Sequence, residues 1–335
     1  MKEQTIQRFK DAKYGLMAHW GLYSLLAGEY KGEPCRPYAE WIQSRFRIPN
    51  AVNEKLAKSF NPILFDADEW ILFAKECGMK YFVITAKHHE GFAMYRSQCD
   101  KYNIYDATPF KRDVVKELAL ACERHGLAFG LYYSQDLDWH ELHGGGYKTS
   151  GACAGTTWDN SWDFPDRSQK NFDICFEKKI LPQVEELMTG YGDIFTLWFD
   201  CPMTISEKQS KILRQVVKKY QPECLISSRI GNGMYDYVEL GDNEIPDSLE
   251  PGTAEVDYND FNGFKPSEYG LYESSCTLND TWGYSANDYN WKSSETIRRN
   301  RQKLNGMGIN YLLNVGPDGL GRIPAKAQEI IKNAK

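Results

Sequence analysis

The chain has 335 residues, 42% of them hydrophobic and 14% aromatic, with a net charge of −6 spread along its length. That length supplies a large core and suits one large α/β domain or two ordinary ones, and without a basic block or stripe the charge pattern argues against nucleic acid as a partner. No apolar run nears the roughly 18 residues of a bilayer span, and Met1–Lys10 lacks the apolar stretch of a secretion signal, so a cytoplasmic protein with no membrane contact is expected.

In chain order, short apolar strands alternate with amphipathic helices. A first strand is expected over Gly15–Tyr23. A helix over Asp66–Glu76, opening on acids and carrying Trp70, Ile71, Phe73 and Ala74, leads into a strand at Lys80–Ala86. A helix at Val114–His125, closed by Gly126, precedes the strand Ala128–Tyr133. A helix over Phe172–Leu187 then leads to Asp193-Ile-Phe-Thr-Leu-Trp-Phe-Asp200, an apolar run of the kind buried on both faces of a parallel sheet, ending in a lone acid. A helix over Ile205–Lys219 and a strand at Leu225–Ser228 follow. Weaker strands are expected near Tyr235–Leu240 and Leu271–Ser275. A helix at Ser294–Leu304, a strand at Asn310–Val315 and about one more helix complete the chain. Repeated strand–helix units imply parallel pairing with right-handed crossovers, and eight strands fit a single-domain α/β fold, a (β/α)8 TIM-like barrel over residues 1–335. The stretches Asp136–Asp166 and Asp242–Tyr269 read as long functional loops.

Two broad chemistries find little support. The nine cysteines are scattered with no CxxC pair, which argues against a zinc knuckle and a disulfide framework. No GxGxxG or GxxxxGK[ST] follows a strand, and Gly144-Gly-Gly146 lacks the strand-to-helix context, so a nucleotide cofactor is disfavoured.

The C-terminal ends of the strands tell more. They carry His19-Trp-Gly21, Lys87-His-His-Glu90, Tyr132-Tyr-Ser-Gln-Asp136, Trp198 and Asp200, Arg229, Gly241-Asp-Asn-Glu244 and Glu273. Polar and aromatic groups at nearly every strand end describe a concave site at the top of a barrel. Each has a plainer reading: His19 as a core histidine, Arg229 as an ion-pair partner, Trp198 as barrel filling. His88 and His89 are adjacent and point oppositely along a strand, so they suit a sugar's hydroxyls better than one metal ion. No metal and no cofactor are expected, and activity should survive a chelator. The chemistry that fits is glycoside hydrolysis, which needs two carboxyl groups across an oxocarbenium-like transition state. Asp200, on a rigid strand, suits the nucleophile; Asp242, Glu244 and Glu273 compete for the acid.

Several motifs occur together: His19-Trp-Gly-Leu-Tyr-Ser24, Ala39-Glu-Trp41, Thr85-Ala-Lys-His-His-Glu-Gly-Phe92, Gly130-Leu-Tyr-Tyr-Ser134, Leu197-Trp-Phe-Asp200, Ser228-Arg229, Thr281-Trp-Gly-Tyr284 and Asn310-Tyr-Leu-Leu-Asn-Val-Gly-Pro317. In this order, over nearly the whole chain, they resemble the family 29 α-L-fucosidases. The resemblance implies a retaining, exo-acting double displacement on fucosylated oligosaccharides or glycoconjugates, with transfucosylation as a companion reaction. It implies Asp200 as nucleophile and a fucose pocket lined by His19, Glu40, Trp41, His88, His89, Tyr132 or Tyr133, Trp198, Arg229 and Trp282. The family's acid/base varies in position; Asp242 is the first choice here, Glu273 the second and Glu244 the third. Cys201 departs from the family's frequent glycine after the nucleophile, and no C-terminal β-sandwich is expected. Self-association is left open. The alternative reading is a non-catalytic or metal-dependent sugar-processing barrel.

Overall fold

Every residue of Tyr81–Lys87 and of Ile309–Val315 is buried, which a strand tolerates only where its sheet is covered on both faces. The computed structural model describes residues 2–149, 152, 155–249 and 267–335. It contains eight parallel strands: β1 (Tyr14–Ala18), β2 (Tyr81–Lys87), β3 (Ala128–Ser134), β4 (Thr196–Asp200), β5 (Leu225–Ile226), β6 (Val238–Asp242), β7 (Tyr272–Cys276) and β8 (Ile309–Val315). Neighbours run β5–β4–β3–β2–β1–β8–β7–β6. The ends of that row meet at a parallel bridge between Ser227 and Tyr237, where the N–H groups of Asp236 and Tyr237 donate to the Ile226 carbonyl at 2.8 and 3.2 Å. The row therefore closes, and the fold is a (β/α)8 barrel.

Helices Ala67–Glu76, Val114–His125, Glu207–Tyr220 and Ser294–Gly306 lie close to where periodicity places them. Their starts are fixed by side-chain caps: Asp66 accepts from the Glu69 N–H, Asp113 from that of Lys116 and Ser293 from that of Thr296, while Ser206 forms a capping box with Gln209. The expected helix Phe172–Leu187 runs on to Gly190 but contains a wide turn at Phe176–Ile180. Pro182, just beyond it, has no N–H to give to the preceding turn.

Three expectations need correction. The first strand ends at Ala18, not Tyr23, because the Trp20 N–H turns away to the Thr85 hydroxyl at 2.9 Å and Leu22–Leu25 coils into a 3-10 turn. Helices Glu3–Ala12 and Asn50–Ser59 had no counterpart in the periodicity reading. The first sets Phe9 against Phe195 and Tyr237 at the barrel base, with ring centroids 6.0 and 4.9 Å apart. Strand β5 leads through the 3-10 turn Ser228–Ile230 to β6 with no α-helix between them, so the strand–helix repeat is broken there. Residues 150, 151, 153, 154 and 250–266 of the two long loops lie outside the described residues. Among the described residues no helix is long and apolar enough to cross a membrane.

A buried ion network ties the loop after β3 to the end of β2. Asp138 Oδ2 meets Lys87 Nζ at 3.1 Å and Lys179 Nζ at 2.9 Å, and Lys179 also meets Asp100 at 2.6 Å. Burial alone would raise the Asp138 carboxyl, but the two ammonium groups hold it well below the ordinary range. Asp138→Asn strands the wholly buried Lys87 without its counter-ion. A loss of about 3–5 kcal/mol is expected, read from the urea midpoint at constant m-value. A shift no larger than that of Asp100→Asn would show that the network carries no such weight.

Candidate active site

The pocket forms where β1 to β4 end and the chain turns across the barrel top. Asp200 is the last residue of β4 and is 7% exposed. Its backbone N–H donates to Gln135 Oε1 at 2.8 Å, and Gln135 Nε2 donates to the Arg229 carbonyl at 2.8 Å, so one amide pins both backbones. Tyr132 donates its hydroxyl proton to Asp200 Oδ2 at 2.6 Å, and Arg229 Nη1 donates to Oδ1 at 3.0 Å. The carboxylate is therefore held from both sides by strong donors. Arg229 Nη2 reaches on to Asp242 Oδ1 at 2.5 Å, and the guanidinium lies over the Trp198 ring at 4.6 Å.

Tyr132 and Tyr133 alternate on β3, and the ladder settles which one enters the site. Tyr132 pairs with Trp198, and the two rings stack 5.2 Å apart at 17°. Tyr133 points the other way, donating to Gln183 Oε1 at 2.7 Å, with Lys87 Nζ over its ring. Tyr133 is thus removed from the pocket lining.

Three histidines crowd the wall. His88 and His89 have ring centroids 4.1 Å apart, and His19 lies 5.8 Å from His88 and 5.2 Å from Tyr132. Burial keeps all three neutral: it lowers His19 and His88 to about 3 and His89 well below its ordinary value. Hydrogen bonds fix two tautomers. The Ser134 hydroxyl gives its proton to the Leu137 carbonyl at 2.8 Å, so His89 Nδ1–H donates to Ser134 Oγ at 2.7 Å. The Asn314 amide donates to the Trp282 carbonyl at 2.7 Å, so its oxygen accepts from His19 Nδ1 at 2.7 Å. Both rings are left with a bare Nε2.

The aromatic rim is Trp41, edge-on to His89 at 4.9 Å, and Trp282, 5.2 Å from His19. Glu40 accepts at Oε2 from the Thr281 hydroxyl at 3.2 Å and from the Trp282 and Gly283 N–H groups at 3.2 and 2.8 Å. Its other oxygen is buried without a protein partner, and burial pushes this carboxyl up to about 7. A sugar hydroxyl satisfies such an oxygen. Cys201 adopts φ +52, the left-handed region where glycine is at home. Its buried thiol lies 3.7 Å from His89 Nε2, a weak contact that a hydroxyl donor displaces.

The three candidate acids separate by depth. Asp242 ends β6, its side chain 40% exposed. Glu273 is wholly buried three residues lower, at the level of Glu239 and Asn310, and accepts from the Tyr81 hydroxyl at 2.6 Å. Burial pushes it up to about 7, yet it faces the barrel interior rather than the opening. Glu244 lies past Asp242, its side chain beside Gly241 and its carbonyl taking a bond from Ser274. Sequence reasoning misses Gln135, Ser134 and Asn314 as working residues, although Ser134 and Asn314 stand inside the quoted motifs and Gln135 directly follows one.

A closed (β/α)8 barrel with two carboxylates joined by one arginine, set against neutral imidazoles and indole rings, is the layout of a sugar-cleaving barrel. The chain matches the α-L-fucosidase family model over residues 1–334 and belongs to that family of glycoside hydrolases. It is 59% identical to the α-L-fucosidase AlfC from Lactobacillus casei, solved with its α-L-fucose product, over 99% of this chain and 97% of that one, with a TM-score of 0.92. An α-L-fucosidase from Vibrio sp. strain EJY3 is 36% identical over 99% of this chain and 54% of that one, with a TM-score of 0.85. A putative α-L-fucosidase of Caenorhabditis elegans is 28% identical over 95% of this chain, which spans 61% of that relative's length.

Proposed function

We propose that this chain is a retaining, exo-acting α-L-fucosidase that frees terminal α-linked L-fucose from oligosaccharides or glycoconjugates by double displacement, with transfucosylation as its companion reaction. The observation that carries the reading is Arg229, whose two Nη atoms meet Asp200 and Asp242. One guanidinium gathers both carboxyls at the same barrel mouth, as a double displacement with a paired nucleophile and acid requires.

Asp200 attacks the anomeric carbon, held on its line by Tyr132, Arg229 and Gln135. Asp242 gives its proton to the leaving oxygen, then takes one from the water that opens the fucosyl-enzyme, and the α configuration is kept. To do so Asp242 must leave Arg229. Its neighbours allow that swing: Gly241 has φ +114 and Asn243 φ +63, so the carboxyl sits on a sharp turn rather than mid-ladder. His19 and His89 accept from sugar hydroxyls at Nε2, and Trp41, Trp198 and Trp282 cover the apolar faces.

A cavity of about 450 Å³, lined by Arg36, Tyr38, Asn243, Thr277, Asp280 and Lys292, begins one residue beyond Asp242 and suits the leaving sugar or an acceptor. An AlfC mutant, 58% identical, was solved in complex with Fucα(1,6)GlcNAc, which makes that linkage the first to assay. Another AlfC variant, 59% identical, is described as a fucosyltransferase mutant, in keeping with transfer as a companion reaction.

The test turns on leaving groups. Asp242→Ala should lose roughly 10³–10⁴-fold on a disaccharide, within the range of general acid catalysis, but far less on 4-nitrophenyl α-L-fucoside, and azide should restore the latter. If Glu273→Ala shows that pattern instead, the acid is misassigned. A β-anomer as first product, seen by NMR, would end the retaining reading.

A further inference from the structure

The mechanism leaves His88 unexplained. Its ring stacks on Tyr132, 5.5 Å away at 16°. Nδ1 is buried with no completed hydrogen bond, and the group facing it is Glu90 Oε2 at 3.4 Å. Glu90 is 3% exposed, and neither of its carboxyl oxygens completes a bond to a protein donor. The groups around it are Lys87 on its own segment, Tyr23 from the turn after β1, Tyr102, and Asp138 from the loop after β3. The backbone N–H groups of Glu90 and Leu22 also turn toward the carboxyl. The Lys87 ammonium is committed to Asp138 at 3.1 Å.

Burial outweighs the two backbone N–H groups and the Lys87 ammonium already committed to Asp138, so ionisation is costly and the carboxyl keeps its proton; burial pushes Glu90 up to about 8. A neutral acid beside a neutral imidazole makes one hydrogen bond, from carboxyl O–H to the bare ring nitrogen. At 3.4 Å the contact is long, as such contacts are in unliganded sites. Among the described residues His88 Nε2 has no hydrogen-bond partner and is not sealed from solvent, so it opens on the pocket.

We propose that Glu90 is a positioning residue for sugar recognition: its carboxyl O–H donates to His88 Nδ1 and so fixes His88 as an Nε2–H donor beside the two Nε2 acceptors of His19 and His89. The pocket then offers one imidazole that gives and two that take, a pattern that reads hydroxyls acting as acceptor and donor in turn. Loss of the Glu90 proton to solvent reverses the sign. The carboxylate then accepts from Nδ1–H, the ring proton leaves Nε2, and the donor becomes a third acceptor.

The inference rests on the fucosidase reading for its ligand, so the test uses readouts that do not need turnover. Calorimetric Kd values for L-fucose are taken from about pH 7 to about pH 9 on the intact protein, with ¹⁵N spectra of its histidines. His88 is assigned by a His88→Gln variant. Wild type should show His88 protonated at Nε2 and weaken about tenfold across the range, the size of one lost hydrogen bond. Glu90→Gln keeps an N–H donor that cannot ionise; it should hold the tautomer and bind with a flat pH profile. Glu90→Met should bind about tenfold more weakly throughout, with Tm confirming that it folds. A wild-type His88 protonated at Nδ1, or a Glu90→Met protein that binds L-fucose as wild type does, overturns the proposal. Fucose binding with this profile but no hydrolysis would instead sink the hydrolase reading and leave the role of Glu90 standing.

Discussion

Asp200→Ala is expected to abolish turnover of 4-nitrophenyl α-L-fucoside, by roughly 10⁴-fold or more, while L-fucose still binds. The size follows from placement. The side chain is the only carboxylate at the end of β4, and Tyr132 and Arg229 hold its two oxygens at 2.6 and 3.0 Å. Removing it leaves the hydroxyl and the guanidinium facing an empty position, and no neighbour substitutes: Asp242 is tethered across Arg229, and Glu273 lies lower in the barrel. Small nucleophiles such as azide should restore part of the rate by entering that position and should yield the β-fucosyl azide, the mirror of the Asp242→Ala outcome. Unfolding is not expected, because the β4 backbone keeps its bond to Gln135. Turnover within about tenfold of wild type would remove Asp200 from the nucleophile's role.

Arg229→Met comes next in size. The guanidinium pairs with Asp200, the proposed nucleophile, tethers Asp242, the proposed acid, and covers Trp198 at once. Loss of a preorganised electrostatic group of this kind costs roughly 10²–10³-fold in kcat. Arg229→Lys supplies charge without the two-pronged head and should fall between wild type and Met. Equal rates for Lys and Met would show that geometry, not charge, is what Arg229 contributes. A Met variant that keeps the wild-type kcat would remove Arg229 from that role.

Much of the site was legible because strand ends are punctuated. A run such as Phe195–Phe199 cannot be interrupted by an acid without changing environment, so Asp200 marks the strand's exit. The same period of two predicts that Tyr132 and Tyr133 face apart, but only the pairing of Tyr132 with Trp198 shows which one looks inward. Depth was not legible. Glu273 and Asp242 both stand near strand ends in the sequence, yet the β6–β7 register, which sets Glu239 against Glu273 and Asp242 against Ser275, sinks the first into the core. Gln135 and Asn314 escaped notice because amides carry no charge that a strand must explain, although each holds a working residue in place. The strand–helix alternation breaks after β5 because the chain there turns through Ser228–Ile230 straight toward β6.

That seam has a consequence for how the enzyme divides its labour. Strand β4 is zipped to β3 along five residues, whereas β5 has two residues and meets β6 through the Ser227–Tyr237 bridge. On the proposed mechanism, the carboxylate that must stay still, Asp200, is mounted on the stiff stave, and the one that must swing, Asp242, is mounted beside the loose one. Amide protons of Ile226, Asp236 and Tyr237 should therefore exchange with solvent well before those of Leu197 to Asp200. A ligand that grips Asp242 should slow the first set alone, as expected if the weakest closure in the barrel is the hinge of the proposed proton shuttle.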